Sequence, residues 1–189
     1  SGPLPFEPVV ATGAHAAHPH AVPGDAALAP GEIVVVDWGA TVEGYASDIT
    51  RCVLVPGAEP APELRAAFEA TRAANEAGRA AVRPGATGQD VDRATRAVIE
   101  AAGFGPRFVH RTGHSIGEEV HGNGVHIDNL ETKDERLLVS GICFSIEPGI
   151  YLPTFGVRSE VNVFIDGSLD VHVTGGPPQS RILPILAEY

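Results

Sequence analysis

The stretch Ile33–Arg51, IVVVDWGATVEGYASDITR, constrains this chain more than any other, because it places two aspartates on what reads as one hairpin. Ile33-Val34-Val35-Val36 is a β-branched run of the kind that forms a buried strand, and it ends at Asp37. Gly39 and Gly44 bracket the reversal, and Tyr45 to Val55 reads as the returning strand. A turn centred on Val42-Glu43 puts Asp37 directly opposite Asp48. Side chains opposed in this way stand about 4.5–5.5 Å apart at Cβ, where like charges repel. A bound cation reverses the sign of that interaction. A slip of one residue sends a side chain to the other face, and two turn-flanking aspartates facing water explain this stretch alone as well as a metal pair does. Further ligands must decide.

With 189 residues and 43% hydrophobic content, the chain can bury one sizeable core, so 1–189 is read as a single domain. A net charge of −11 without clustered Lys and Arg argues against nucleic acid as the partner and favours a small or peptide substrate. Cys52 and Cys143 are the only cysteines, and neither a secretory segment nor a bilayer-length apolar run is present. These features point to a reduced, soluble, cytoplasmic setting with no membrane partner. The chain opens Ser-Gly-Pro and contains no methionine.

Phe6 to Ala11 reads as a short leading strand, and the tract Gly13 to His20 as a loop whose imidazoles could also bind metal weakly. Two helices follow the hairpin. The first opens at Pro62-Glu63, carries a stripe of Leu64, Ala67, Phe68, Thr71, Ala74, Asn75 and Gly78, and stops at Arg83-Pro84-Gly85. The second is capped by Thr87 with Asp90, turns Val91, Ala94, Thr95, Val98 and Ala102 inward, and ends at Gly103. Both are assigned to packing alone.

Phe108 to Asn123, FVHRTGHSIGEEVHGN, holds His110, His114 and His121 among three glycines. Each glycine costs roughly 1 kcal/mol in a helix interior, so loop and extended strand fit better, with His110 and His114 on one face. A single histidine here would be read as structural; three in twelve residues favour a site. Ile142 to Tyr151, ICFSIEPGIY, reads as a strand delivering Glu147, a carboxylate that needs a partner once buried. Val157 to Ile165 alternates as one strand with Arg158, Glu160 and Asn162 on one face, where an Arg158–Glu160 pair facing water is an equal reading. A turn at Asp166-Gly167, a strand near Val171–Val173 and a tail at Ile182–Ile185 complete the chain.

Asp37, Asp48, Glu147 and Glu160 with His114 make an oxygen-rich set suited to hard or borderline divalent cations such as manganese, cobalt, iron or zinc. The order Asp, eleven residues to Asp, a Gly-His-x-Ile-Gly loop, Ile-Glu-Pro and Val-Arg-x-Glu resembles the M24 metallopeptidase family of pita-bread fold. That family includes methionine aminopeptidase, aminopeptidase P and the Xaa-Pro dipeptidases. The resemblance runs from Phe6 to the last strand. It implies an α+β fold, a curved antiparallel sheet with helices on its outer face. It also implies two divalent cations, manganese first, held by Asp37, Asp48, His114, Glu147 and Glu160, with Asp48 and Glu160 bridging.

The resemblance further implies His121 beside the scissile carbonyl, His20 on the leaving side, and His110 and Arg158 as marks of the proline-specific branch. Ser115 stands where glycine is most common after the ligand histidine, and the change is expected to be harmless. The helices that usually precede the first strand are missing, so the chain is expected to be the catalytic part of a longer protein, with a homodimer compatible with the family. The implied activity is exopeptidase hydrolysis of an Xaa-Pro bond in a short peptide. Glu147 would be the general base, and His121 and His110 the donors to the oxyanion. Competing readings are a methionine aminopeptidase, a metal-free peptide-binding relative, and a non-peptide C–N hydrolase of the same fold.

Overall fold

The hairpin forms, but its turn lies one residue later than the symmetrical reading places it. In the computed structural model, which describes residues 2–185, strand β1 (Val9–Thr12) is followed by β2 (Ile33–Trp38), the hairpin β3 (Thr41–Val42) and β4 (Tyr45–Ala46), and β5 (Ile49–Leu54). Glu43 and Gly44 occupy the tip with φ of 52° and 88°. A tight two-residue hairpin of this type needs positive φ at both central positions, which Gly44 tolerates and the β-branched Val42 does not. Asp37 therefore opposes Thr50, not Asp48. The displacement moves the partner by two residues, an even number, so the face is kept.

Helix α1 (Pro62–Ala81) buries all seven residues of its expected stripe, and α2 (Gly88–Ala101) begins at Thr87 with both bonds of the capping box. The buried face of α2 differs from expectation. It comprises Gly88, Val91, Asp92, Thr95 and Ile99, leaving Ala102 exposed. Two contacts turn it. Asp92 is drawn inward to accept from Arg96 and from the Thr112 N–H, and Thr95 meets Gly78 so closely that a Cβ there would lie 2.5 Å from its Oγ1.

The second half of the chain supplies β6 (Ser115–Ile116), β7 (Ile142–Ile146), β8 (Gly149–Leu152), β9 (Phe155–Arg158), β10 (Val161–Ile165), β11 (Val171–Thr174) and β12 (Leu183–Pro184). The strand expected over Val157–Ile165 is thus broken at Ser159-Glu160. Asn75 of α1 reaches the break and donates to the carbonyls of Ile146 and Ser159 at 2.9 and 3.0 Å, in place of a strand neighbour.

One sheet has the order β1-β2-β5-β12 and the other β11-β10-β7-β6, with β8 and β9 as a separate hairpin. Among the described residues all pairs are antiparallel except β12 with β5. Phe68, Ile99, Ile33 and Val157 centre one core, and Val91, Phe144, Ile146 and Val163 the other. Each such side chain contributes roughly 1.5–3 kcal/mol by leaving water. Among the described residues no helix is long and apolar enough to cross a membrane.

Candidate metal centre

Every acidic ligand candidate sits where a strand ends or is interrupted. Asp37 lies near the end of β2, Asp48 in the gap between β4 and β5, Glu147 just after β7 and Glu160 in the break before β10; His114 immediately precedes β6. Strand ends let side chains from two sheets converge without clashing across a pleat. One ligand atom each from Asp48, His114 and Glu160 lie within 4.8 Å of one another. His114 Nε2 stands 3.3 Å from Asp48 Oδ2 and 3.2 Å from Glu147 Oε1, and Asp37 is ion-paired with Arg158. The water-facing Arg158–Glu160 pair is not formed: both are buried, Glu160 to 1% exposure.

The donor set fits divalent cations on a direct test. Asp37 Oδ1, Asp48 Oδ1 and Glu160 Oε1 are buried carboxylate oxygens with no protein partner. Buried polar atoms are otherwise almost always satisfied, and a carboxylate oxygen can only accept, so three together call for positive charge. The proton affinities agree. Burial, aided by the charges of Asp48 and Glu147 and opposed by Arg158, lifts Asp37 to about 7. Burial and the neighbouring carboxylates push Glu160 well above its usual range. At His114 burial acts downward, but hydrogen bonds to Asp48 and Glu147 outweigh it and raise the imidazole to about 10. Burial alone would raise Glu147, yet the hydrogen bond and charge of His114, with Arg158, hold it below its usual value. The cluster retains protons it would release to a cation.

Around the ligands lies a layer of side chains that fixes them. Thr50 donates to Glu160 Oε2 at 2.6 Å and accepts from Arg158 Nε at 2.9 Å. Arg158 also donates to the Pro19 carbonyl and to the Tyr151 hydroxyl. Every nitrogen of its guanidinium is engaged, and through these bonds it organises Asp37 and Thr50 at the edge of the cleft. Ser145 accepts from the His114 N–H at 2.9 Å and donates to Glu147 Oε1 at 3.0 Å, joining two ligands through one hydroxyl.

His110 lines the cleft with both ring nitrogens partnered. Its Nδ1 is 2.7 Å from the Arg111 carbonyl, which can only accept, and its Nε2 is 2.9 Å from the Tyr151 hydroxyl. Burial lowers its pKa, and the Arg111 carbonyl assigns a proton to Nδ1, which directs Nε2 at the Tyr151 hydroxyl. No N–H is left for an oxyanion.

A cleft of about 400 Å³ opens onto the cluster, lined by His20, His110, Arg111, His121, Glu131 and Val22 among others. His121 is exposed at the mouth, its ring edge-on to His114 at 4.2 Å between centroids. Burial and the charge of His114 lower its pKa. Ser115 has more to do than expected. Its Oγ accepts from Gly124 N–H at 3.0 Å, its carbonyl accepts from Gly122 N–H at 2.8 Å, and a Cβ on Gly124 would lie 2.5 Å from that Oγ. The hydroxyl and the two glycines fit together and hold the loop that presents His121.

Sequence reasoning missed Thr50, Asn75, Asp92, Arg96, Ser145, Tyr151, Asn162 and the loop anchors Asp128 and Asp134. The one available signal for the helical members was polarity on a buried stripe, as at Asn75.

Clustered strand-end carboxylates and an imidazole beneath an open cleft are groups that can hold divalent cations. The profile of metallopeptidase family M24 matches residues 1–167, and the chain belongs to that family. It is 42% identical over 156 residues to the Xaa-Pro dipeptidase of Lactobacillus delbrueckii subsp. lactis, covering 82% of this chain and 41% of that protein. Its structure matches prolidase from Thermococcus sibiricus with a TM-score of 0.86 at 34% identity, over 95% of this chain and 47% of that one. It matches X-Pro aminopeptidase from Thermotoga maritima MSB8 equally, TM-score 0.86 at 32% identity, over 96% and 50%. The fold is the α+β pita-bread fold of this family, and the chain spans about half the length of these relatives.

Proposed function

We propose that residues 1–189 form the catalytic domain of an exopeptidase that uses two divalent cations, manganese first and cobalt, zinc or iron as alternatives, to hydrolyse Xaa-Pro bonds in short peptides. The observation that carries this reading is the trio of buried, unpartnered carboxylate oxygens on Asp37, Asp48 and Glu160 beside His114. Asp37, Asp48, His114, Glu147 and Glu160 would hold the cations. Bound there, the cations supply Lewis acidity and lower the pKa of the attacking water.

The protein's own groups do the rest. Glu147 takes the water's proton and passes it to the leaving nitrogen. His121, at the mouth and able to donate from its ring, faces the carbonyl oxygen as negative charge develops there. His20, exposed on the cleft wall, stands on the leaving side. His110 and Arg158 act through Tyr151, Thr50 and Asp37, holding the ligand frame. A prolyl nitrogen carries no N–H, so selection for it must come from the ring and the carbonyl. Relatives named Xaa-Pro dipeptidase and X-Pro aminopeptidase support that choice. A metal-free binding module or non-peptide hydrolase would have no use for the unpartnered oxygens.

The test is a Mn²⁺ titration of chelator-stripped protein followed by assays on Ala-Pro and Met-Ala-Ser peptides. Two equivalents bound, with Ala-Pro cleaved faster, is the expected result. One or no equivalent overturns the two-cation reading, and equal rates overturn the proline preference.

A further inference from the structure

Asn162 is the second residue of β10, on the face opposite Val161, Val163 and Ile165, which are buried in the core. Its neighbour on that face, Phe164, is 36% exposed, whereas Asn162 is only 3% exposed. Both polar atoms of the buried amide are engaged. Asn162 Oδ1 accepts from the Asp48 N–H at 3.0 Å, and Asn162 Nδ2 donates to the Asp48 carbonyl at 2.6 Å. One side chain thus pairs with both backbone groups of one residue, as a neighbouring strand would.

Asp48 requires such a partner. It falls between β4 and β5, and the ladder with β2 ends at Ile49, paired with Trp38. A backbone N–H and C=O left unpaired in a buried site would be costly. Nearly the same device recurs four residues on: Gln179 accepts from the Cys52 N–H at 2.9 Å and donates to the Cys52 carbonyl at 2.6 Å. The two amides grip the same edge of the same chain segment. They differ in what the gripped residue does, since Cys52 carries a core thiol and Asp48 a carboxylate with an unpartnered oxygen.

We propose that Asn162 is a positioning residue for the cation site, setting through the Asp48 backbone where the Asp48 carboxylate meets His114 and Glu160. Gln179 performs the same backbone task with no ligand attached. The inference rests on the two-cation reading above and assigns Asn162 a part in it. Outer partners of metal ligands typically change affinity by about 10–100-fold when removed.

The experiment uses the whole chain stripped of metal and compares wild type, Asn162→Ala and Gln179→Ala by Mn²⁺ calorimetry and by melting in chelator. Both variants should melt below wild type, because each orphans a buried backbone pair, but only Asn162→Ala should lose about tenfold or more in Mn²⁺ affinity. Asn162→Thr, which suits a strand and lacks the amide, should show the same loss and serves where the alanine variant does not fold. Affinity within threefold of wild type in the Asn162 variants, or an equal loss in Gln179→Ala, overturns the proposal. A wild type that binds no Mn²⁺ overturns the reading beneath it and this assignment with it.

Discussion

The floor and the mouth of the cleft are built on different principles. At the floor, Asp37, Asp48, Glu147 and Glu160 are carried by strand ends, and their positions are over-determined by Thr50, Arg158, Asn75, Asn162 and Ser145 from several elements. At the mouth, His121 stands on a loop that regular pairing does not hold. Ser115, Asp128 and Asp134 fix that loop by accepting backbone N–H groups. A rigid floor suits cations, whose ligands must be placed within fractions of an ångström. A mouth built on local hydrogen bonds can open at lower free energy, as the substrate-facing role proposed for His121 requires.

The sharpest way to break the comparison is at the floor. Asp48→Asn and Glu160→Gln should each abolish activity and reduce binding to at most one cation by calorimetry, an affinity loss above the roughly 10–100-fold typical of outer partners. Two equivalents retained at unchanged affinity would remove these residues from the bridging positions.

At the mouth, His121→Ala should leave Mn²⁺ affinity unchanged while kcat falls. Losing one oxyanion donor costs about 2.7–4 kcal/mol, or roughly 100–1000-fold. A parallel loss of cation affinity would show that the edge-on contact between His121 and His114 makes the floor depend on the mouth.

How much of this was legible in the sequence follows the same division. Strand ends announce themselves through β-branched runs and Pro-Gly stops, so Asp37 and Glu147 could be placed from the text alone. The register of the hairpin could not, because it turned on whether Val42 or Gly44 would take positive φ at the tip. The mouth was opaque for a different reason. Asp128 and Asp134 are hydrogen-bonded to backbone a few residues away, and such local bonds leave no period in the sequence. Ser115 read as a harmless replacement for glycine, because the pattern of the loop does not show that Gly122 and Gly124 close on its hydroxyl.

A smaller effect separates the regions thermodynamically. Chelator should lower the melting temperature, since a cation at about 100 times its dissociation constant adds about 2.7 kcal/mol to the native state. For a chain of this size that is about 5–10 °C. Hydrogen exchange should place the change in β2, β5 and β10 and leave the amides of residues 124–136 as they were. An unchanged midpoint would mean that no cation holds the carboxylates together.

The last prediction isolates the loop and turns on pH. Asp134 is buried and accepts from the His126 N–H at 2.8 Å, from the Arg136 N–H at 3.0 Å and from the Arg136 guanidinium, which in turn donates to the carbonyls of Asn123 and Gly124. Burial alone would raise its carboxyl, but the bonds from Arg136 and His126 prevail and bring it from 3.8 down to about 2. A carboxyl lowered on folding stabilises the native state above its unfolded pKa, so the contribution is complete above about pH 4 and fades as pH falls toward 2. Its size is on the order of 2 kcal/mol. Asp134→Ala should therefore speed exchange of the His126 and Arg136 amides at pH 6, and the gap from wild type should narrow steadily below pH 4. A gap that stays constant down to pH 2 would mean the carboxylate's charge does not hold the loop, leaving Ser115 and Asp128 to present His121.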